Sequence, residues 1–209
     1  MLHFENVIIA YDSKPLLRDV RFHLEPGTAG VLVGPSGCGK SSLLLATAGL
    51  VSFQGEIRVQ DLTVDAHNVQ QIRRECLAWL PQEIGLPASS VSDLFRSLRE
   101  LRANRGARGL DESKVLEYFE MLGLSEDLLT RAMTEISGGQ KVRILLGALL
   151  ALKRPLLLLD EPSAMLDDVS TERVWEAIHH SGVTVLSTSN DPRWIAKHRV
   201  QIPVQEFAA

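Results

Sequence analysis

The sequence predicts an α/β fold in which a mostly parallel sheet is covered by helices on both faces. Three observations indicate this class. Short apolar runs alternate with helical segments along most of the chain, as buried parallel strands do. A glycine-rich loop joins one of these runs directly to a helix. Between Gln82 and Ser137 the pattern becomes helical, with no convincing strand.

The bulk composition is typical of a soluble globular protein of one domain. The chain has 209 residues, of which 45% are hydrophobic and 23% charged, and its formal net charge is −4. This charge argues against nucleic acid as the main partner. The two cysteines, Cys38 and Cys76, have neither a pairing pattern nor metal-ligand spacing. The longest apolar tract, Ile144–Leu152, is shorter than the ~20 residues of a membrane span.

The N-terminal part is predicted to be an antiparallel strand pair. Leu2–Ala10 and Val20–Leu24 have strand character, with a turn around Asp12–Pro15 between them and Pro26 closing the pair. The later strands and helices alternate. The predicted strands are Ala29–Val33, Gly55–Gln60, Leu77–Leu80, Leu156–Leu159, Val183–Ser187 and a last one around Val200; the predicted helices are Lys40–Leu50, Asn68–Arg74, Gln140–Leu152, Val169–His180 and a short one near Trp194.

The helical segment is interpreted as a lobe inserted into the α/β core. Val91–Asn104 and Asp111–Leu122 have helical periodicity, and a basic loop, Arg105–Gly109, lies between them. No aromatic residues interleave this loop, so a solvated connection is favoured over a nucleic-acid contact. The prediction is one domain, 1–209, in which residues 1–88 and 134–209 form the α/β core and residues 89–133 the helical lobe.

A phosphate-binding loop is the strongest functional signal in the sequence. It reads Gly34-Pro35-Ser36-Gly37-Cys38-Gly39-Lys40-Ser41-Ser42 and lies between an apolar strand and a helix. Glycines allow successive backbone N–H groups to face an anion, and the helix adds the positive end of its dipole. Lys40 would then contact the β- and γ-phosphates, and the Ser41 hydroxyl would bind Mg²⁺. The alternative is a chance glycine-rich turn, which the strand and helix on either side disfavour.

An acidic pair, Asp160 and Glu161, follows the apolar strand Leu156–Leu159. Parallel strands deliver their C-terminal residues to the crevice where α/β proteins bind ligands. Asp160 is therefore a candidate for holding Mg²⁺ through water, and Glu161 for the general base that activates the attacking water. By itself such a pair is usually a solvated turn or a helix cap. Its place after a phosphate loop favours catalysis.

A second glycine-rich turn, Ser137-Gly138-Gly139-Gln140, opens a later helix. Its N–H groups and hydroxyl could bind a phosphate because the helix dipole is positive at this end. An ordinary helix cap is the alternative for so short a motif.

Taken together and in order, these motifs resemble those of the ATP-binding cassette (ABC) ATPases over essentially the whole chain. Ile136–Gln140 is similar to the family signature, with isoleucine in place of the usual leucine. Asp160-Glu161-Pro162 and Ala164–Asp167 resemble the second nucleotide motif and the loop that crosses the family's dimer. Tyr11 stands where the family has an aromatic residue that stacks on adenine, and Gln82 matches the glutamine loop that senses Mg²⁺ and the γ-phosphate.

The resemblance implies a P-loop NTPase fold of the ABC type and an ATPase that requires ATP and Mg²⁺. It implies a head-to-tail homodimer in which each ATP lies between Lys40 and Ser41 of one copy and Ser137 and Gly139 of the other. It further implies a separate integral membrane permease subunit, gripped by the helical lobe with Gln82 as the hinge. The protein would then be cytoplasmic and peripheral at the inner face of the cell membrane. A soluble ABC ATPase without a transport role is the second hypothesis.

One position departs from the family pattern. The family usually places a histidine after the strand that follows the acidic pair, and here Asn190 stands there, or Ser189 if the register shifts by one. An amide can hydrogen-bond a phosphate oxygen but cannot carry a positive charge or transfer a proton. We therefore expect slow turnover with ATP binding and dimer closure retained. A nucleotide switch that barely hydrolyses is the third hypothesis.

Overall fold

The computed structural model describes residues 1–85, 88–104 and 109–209, and these form two sheets and their covering helices. Among them one sheet is antiparallel with the strand order β2-β1-β4-β5, and the other is parallel with the order β6-β7-β8-β3-β9. The strands are β1 (Leu2–Tyr11), β2 (Lys14–Leu24), β3 (Ala29–Val33), β4 (Phe53–Val59), β5 (Leu62–Thr63), β6 (Leu77–Leu80), β7 (Leu156–Asp160), β8 (Thr184–Thr188) and β9 (Val200–Pro203). The predicted α/β class, with an N-terminal antiparallel part, is confirmed.

The hairpin between β1 and β2 is tighter than the sequence indicated. Tyr11 pairs with Lys14, so the turn consists of Asp12 and Ser13, whose φ angles are 48° and 64°. Two central residues with positive φ give the turn a twist that matches the strands on either side. Strand β2 therefore begins at Lys14 and not at Val20. Pro15 is tolerated because β2 is an edge strand.

The register of the parallel sheet brings the ends of three strands together. Asp160 at the end of β7 pairs with Thr188 at the end of β8, and Thr188 also pairs with Leu32 of β3. Parallel strands that share a register end at the same edge, where α/β proteins bind ligands. The glycine loop after β3, the acidic pair at the end of β7 and the segment after β8 consequently lie side by side.

The helices cover both faces of the parallel sheet. They are α1 (Lys40–Thr47), α2 (Val69–Gln71), α3 (Val91–Glu100), α4 (Glu112–Met121), α5 (Gly138–Ala151), α6 (Asp168–Ser181) and α7 (Pro192–Ile195). Two predicted helices differ in form. The one at Asn68–Arg74 is a single turn, α2, followed by a wider turn over Ile72–Cys76. The one at Val91–Asn104 ends at Glu100 and continues as a tighter turn over Arg102–Asn104.

The helical segment and the parallel sheet share one hydrophobic core. Val91 of α3 and Phe119 of α4 belong to the same buried cluster as Leu157 of β7 and Val185 of β8. Arg154, which is 5% exposed, adds polar contacts from the core to the segment: its Nη2 donates to Ala103 O at 2.8 Å and to Asn104 Oδ1 at 2.7 Å. The division into a core and a lobe at residues 89 and 133 stays a prediction. The predicted basic loop falls almost wholly on residues 105–108, outside the described residues.

No helix in the three described ranges combines the length and the apolar character that a bilayer crossing demands.

Candidate active site

An open cleft of about 530 Å³ lies where the ends of β3, β7 and β8 meet. Most of the residues predicted to bind or hydrolyse a nucleotide from one copy of the chain line it. The lining residues are Leu16, Ser36, Gly37, Gly39, Lys40, Ser41, Ser42, Gln82, Glu161, Ala164 and Asn190. The cleft therefore joins the glycine loop, Glu161 of the acidic pair and the segment after β8 in one site.

Two carbonyl oxygens of the glycine loop hold the side chain of Lys40. Lys40 is 7% exposed, and its Nζ donates to Gly34 O at 2.7 Å and to Pro35 O at 3.2 Å. Gly39, just before α1, has a φ of 103°, and a Cβ there would lie 3.0 Å from the side chain of Leu17. The positive φ favours glycine at this position, and Leu17 would have to move for any larger residue. The loop thus presents an ammonium group and the N-terminus of a helix to the cleft, which suits a phosphate chain.

Ser41, which lines the cleft, hydrogen-bonds Asp160. Ser41 Oγ donates to Asp160 Oδ1 at 3.0 Å, and Thr188 Oγ1 donates to the same oxygen at 2.6 Å. A hydroxyl and a carboxylate are hard oxygen ligands, which Mg²⁺ prefers and supplements with water and phosphate oxygens. The residues present therefore fit the predicted Mg²⁺ ion, with Ser41 and Asp160 as the groups that would hold it.

Glu161 has a backbone conformation that is unusual for a non-glycine residue. Its φ is 49°, and its N–H donates to Thr188 Oγ1 at 3.0 Å. Such conformations cost of order 1–3 kcal/mol and cluster at functional sites. The Glu161 side chain lines the cleft.

Asn190 connects Lys40 to Glu161. Its Oδ1 accepts from Lys40 Nζ at 3.1 Å, its Nδ2 donates to Glu161 Oε1 at 3.1 Å, and its backbone N–H donates to Glu161 Oε2 at 3.2 Å. Ser189 is fully buried, and its Oγ accepts from the backbone N–H of Asp191 at 3.0 Å. Asn190, and not Ser189, is therefore the residue that reaches the cleft.

Three further predicted residues lie around the glycine loop. Gln82 is exposed and lines the cleft. Tyr11 is 45% exposed, and its hydroxyl hydrogen-bonds Ser42 Oγ at 3.1 Å, so its ring lies beside the start of α1. Cys38 is a half-buried free thiol within the loop.

The second glycine-rich turn is not part of the cleft lining among the described residues. Ser137 Oγ accepts from the Gln140 N–H at 3.2 Å and Gln140 Oε1 accepts from the Ser137 N–H at 3.0 Å, which together cap α5. A Cβ on Gly139 would lie 2.7 Å from the carbonyl oxygen of Met165. The turn therefore caps α5, as the alternative interpretation of the motif predicted. Ser137 and Gly138 are nevertheless exposed. Phosphate binding by this turn stays a prediction.

Two functional residues are absent from the sequence-based prediction. Thr188 hydrogen-bonds both Asp160 and the backbone of Glu161, and it could have been found because it ends the strand next to β7. Leu16 lines the cleft from β2, and no local pattern points to it because its place depends on how the antiparallel sheet packs on the glycine loop.

Comparisons with known proteins identify the family of the chain. The family model for the ABC transporter matches residues 17–164. A putative ABC transporter ATP-binding protein of Streptomyces coelicolor is 33% identical over 98% of this chain, and the chain spans only 37% of the length of that relative. The phosphonates import ATP-binding protein PhnC 2 of Nostoc sp. is 30% identical over 90% of this chain and 81% of its own length.

Solved structures show the same fold. A dimeric bacterial ABC transporter cassette has a TM-score of 0.82 at 23% identity, with 98% of this chain and 95% of that chain covered. A bacterial Atm1-family ABC exporter with ATP bound has a TM-score of 0.81 at 21% identity and covers 98% of this chain and 37% of its own. The family match, the relatives and the cleft together confirm the resemblance seen in the sequence. The chain belongs to the ABC transporter family and has the fold of an ABC transporter cassette.

Proposed function

We propose that two copies of this cassette face each other head to tail and enclose two ATP molecules. The observation that carries this proposal is the position of the two glycine-rich turns. The cleft of one copy contains Lys40, Ser41 and Glu161 but no residue of the turn Ser137–Gln140. That turn lies elsewhere, with Ser137 and Gly138 exposed at the start of a helix of fourteen residues. A second copy would supply the missing phosphate contact.

The residues of the cleft have different roles in ATP hydrolysis. Lys40 and the N–H groups of the glycine loop bind the β- and γ-phosphates, and Ser41 and Asp160 would hold Mg²⁺, which would neutralise charge on the phosphates. Glu161 takes the proton from the attacking water. Asn190, already bonded to both Lys40 and Glu161, keeps the base beside the phosphate. Loss of the γ-phosphate would remove the charge that holds the two copies together.

The dimer can be tested with the Glu161→Gln variant, which retains the binding residues and lacks the base. Sedimentation of this variant should show a monomer without nucleotide and a dimer with Mg-ATP. The Lys40→Ala change in the same background should remove the dimer. A cassette that binds ATP with full occupancy and stays monomeric at all concentrations would contradict the head-to-tail site.

We further propose that the cassette powers a membrane transporter by binding a separate permease subunit through its helical segment. An apolar groove of about 390 Å³ on this segment supports the proposal. Phe95, Leu110, Val115, Leu116 and Leu129 line it, together with Ser92, Arg96 and Arg99. Leu116 is 40% exposed and lies among the other apolar residues of the groove, and a contiguous apolar surface of this kind often marks an interface with another protein. Through such a partner the cassette would lie at the inner face of the membrane.

Purification from detergent-solubilised membranes separates transport from a soluble role. Recovery with a polytopic membrane protein favours transport, provided that Leu116→Glu abolishes the recovery and leaves ATP hydrolysis unchanged. Recovery that is insensitive to this change, or no membrane partner at all, would favour the soluble ABC ATPase. No nucleic-acid partner is expected.

We expect Asn190 to make ATP hydrolysis slow in the proposed cycle. Its amide accepts one hydrogen bond from Lys40 and donates one to Glu161, yet an amide neither takes up nor releases a proton near neutral pH. A switch that binds ATP, dimerises and scarcely hydrolyses is the extreme form of this proposal. The rate of steady-state ATP hydrolysis, measured with Glu161→Gln as the blank, distinguishes slow hydrolysis from a switch that scarcely hydrolyses.

A further inference from the structure

A second cavity, of about 520 Å³, lies at the end of the parallel sheet opposite the nucleotide cleft. It opens where β7 and β8 begin, with Leu157 and Thr184 in its wall, whereas the cleft lies where these strands end. The five residues of β7 span about 13 Å, so a small ligand in this cavity would not touch Lys40 or Ser41. The cavity is therefore separate from the site already described, and its volume suits a small organic molecule.

The charged residues in the wall of this cavity are all cationic. Among the described residues its lining contains no aspartate or glutamate. The cations are Lys114 of α4, Lys153 and Arg154 after α5, and His180 of α6. The chain as a whole has a net charge of −4, so the wall of the cavity is opposite in sign to the protein around it. Cations grouped in a concave wall attract an anion.

Donors from α4 and α6 converge beside this cavity. Lys114 Nζ donates to Glu117 Oε2 at 2.6 Å, and His180 Nε2 lies 3.4 Å from the other oxygen of the same carboxylate. One oxyanion is thus already shared between the two helices. The side chains of Lys114, His180 and Glu117 are all partly exposed, so a ligand can draw the two donors away from Glu117 at small cost.

Tyr118 adds a buried donor to the same wall. It is 6% exposed and lines the cavity, yet its hydroxyl has no hydrogen-bond partner in the part of the chain that the structure describes. The hydroxyl is not among the polar atoms that are sealed from solvent without a partner, so it remains accessible. Burial raises the pKa of Tyr118, so the phenol stays protonated and can donate. Buried polar groups normally have a partner, and a bound anion would supply one.

We propose that this cavity binds a small organic phosphate, separately from the nucleotide cleft and independently of the proposed dimer. A phosphate group has three strong acceptor oxygens, which match Lys114, Lys153 and the Tyr118 hydroxyl, whereas a carboxylate has two. Leu149 and Val183 also line the cavity and contact an apolar part of the ligand. Because Lys114 and Tyr118 belong to α4 and the other lining residues to the α/β part, the ligand joins the helical segment to the sheet.

The competing interpretation is a recess filled with water, whose cations only cap the ends of helices. Lys153 follows the end of α5 and His180 lies in the last turn of α6, where the helix dipole favours cations. This interpretation does not explain Lys114, which lies in the first turn of α4, where the dipole disfavours a cation. It also leaves the accessible hydroxyl of Tyr118 without a partner from the described residues.

The experiment titrates the full chain, without nucleotide, with phenyl phosphate, benzoate and inorganic phosphate, and calorimetry measures each Kd. Phosphate probes can also enter the nucleotide cleft, so all titrations are made in the Lys40→Ala background. In this background Tyr118→Phe removes one hydroxyl and keeps the ring, and Lys153→Gln removes one exposed charge. Arg131→Gln is the matched control, because Arg131 is a similarly exposed cation of the helical segment that pairs with Asp127 and does not line the cavity.

We expect phenyl phosphate to bind in the Lys40→Ala background with a Kd below about 1 mM, and benzoate and inorganic phosphate to bind more weakly. Lys153→Gln should raise the Kd of phenyl phosphate at least about tenfold and Tyr118→Phe about threefold to tenfold, while Arg131→Gln leaves it unchanged.

Three results would overturn the proposal. The first is the absence of binding up to about 10 mM phenyl phosphate in the Lys40→Ala background, which would confine phosphate to the nucleotide cleft. The second is binding that neither Lys153→Gln nor Tyr118→Phe weakens more than Arg131→Gln does, which would place the probe outside this cavity. The third is benzoate binding as tightly as phenyl phosphate, which would contradict the phosphate as the recognised group.

Discussion

Asn190 donates two hydrogen bonds to the carboxylate of Glu161, one from its backbone and one from its side chain, at 3.2 and 3.1 Å. Both oxygens of the carboxylate are thus oriented by one residue on the neighbouring strand end. The same side chain accepts from Lys40. An amide is suited to this place because it carries an acceptor and a donor on one rigid group. The position of Glu161, the predicted base, therefore depends on Asn190.

Replacement of Glu161 by glutamine should stop hydrolysis and preserve binding. Glutamine can retain a hydrogen bond to Asn190 but cannot accept a proton from water, so the rate should fall about 10²–10⁴-fold. Phosphate release measures the rate, and titration with a fluorescent ATP analogue measures affinity. A variant that hydrolyses ATP at more than about a tenth of the wild-type rate would show that another group is the base.

Different substitutions of Asn190 should raise or lower the rate of turnover. Asn190→His restores a group that can carry a proton and charge, and we expect a rise of up to about tenfold in kcat. Asn190→Ala releases Glu161 and Lys40 and should lower kcat about tenfold. Steady-state kinetics with Mg-ATP checks both. Equal rates for the wild type and Asn190→His would mean that this position does not limit turnover.

The two glycines of the second turn should differ in their tolerance of alanine. At Gly139 the added Cβ meets the backbone carbonyl of Met165 at 2.7 Å, whereas at Gly138 it meets the flexible end of the Met165 side chain. Backbone cannot move aside as a side chain can. Gly139→Ala should therefore weaken ATP-driven dimerisation at least about tenfold, and Gly138→Ala considerably less. Sedimentation in the Glu161→Gln background measures this, and similar effects of the two changes would contradict the steric account.

Arg154→Leu should destabilise the fold. The change leaves Ala103 O and the buried Asn104 without a charged donor, which costs about 2–3 kcal/mol. Arg131→Leu is the control, because Arg131 pairs with Asp127 on the surface and its loss costs at most about 1 kcal/mol. Urea unfolding followed by circular dichroism gives both values. Equal losses in the two variants would contradict a special role for the buried guanidinium.

His198 should make stability depend on pH. It is 4% exposed, its Nδ1 donates to Trp194 O at 2.9 Å, and burial lowers its pKa from the usual 6.5. The unfolded chain therefore binds a proton more readily than the folded one, so this contribution to stability is lost as pH falls below about 6.5. His198→Asn removes the titrating group and should flatten the dependence between pH about 7.5 and about 5.5. Parallel urea titrations at the two pH values check the difference, and equal slopes would contradict it.

Local sequence was sufficient for the parts of the site that belong to one turn. The glycine loop, the acidic pair after an apolar strand and the turn before α5 each combine a residue pattern with a strand or helix next to it. Backbone N–H groups, helix dipoles and strand ends act over a few residues, so their chemistry is visible without the fold. The fold class followed from the same alternation of strands and helices.

The tertiary structure decided which residues these segments contact. The bond from Ser41 to Asp160 joins residues 119 positions apart, and the bond from Lys40 to Asn190 spans 150. Thr188 and Leu16 have no local signature, because their contacts arise from strand register and from the packing of loops. The sequence alone determined which groups are available for phosphate chemistry and that the chain is an α/β protein. Only the folded chain decided which of them meet, since side chains far apart in sequence are brought together by the pairing of β3, β7 and β8.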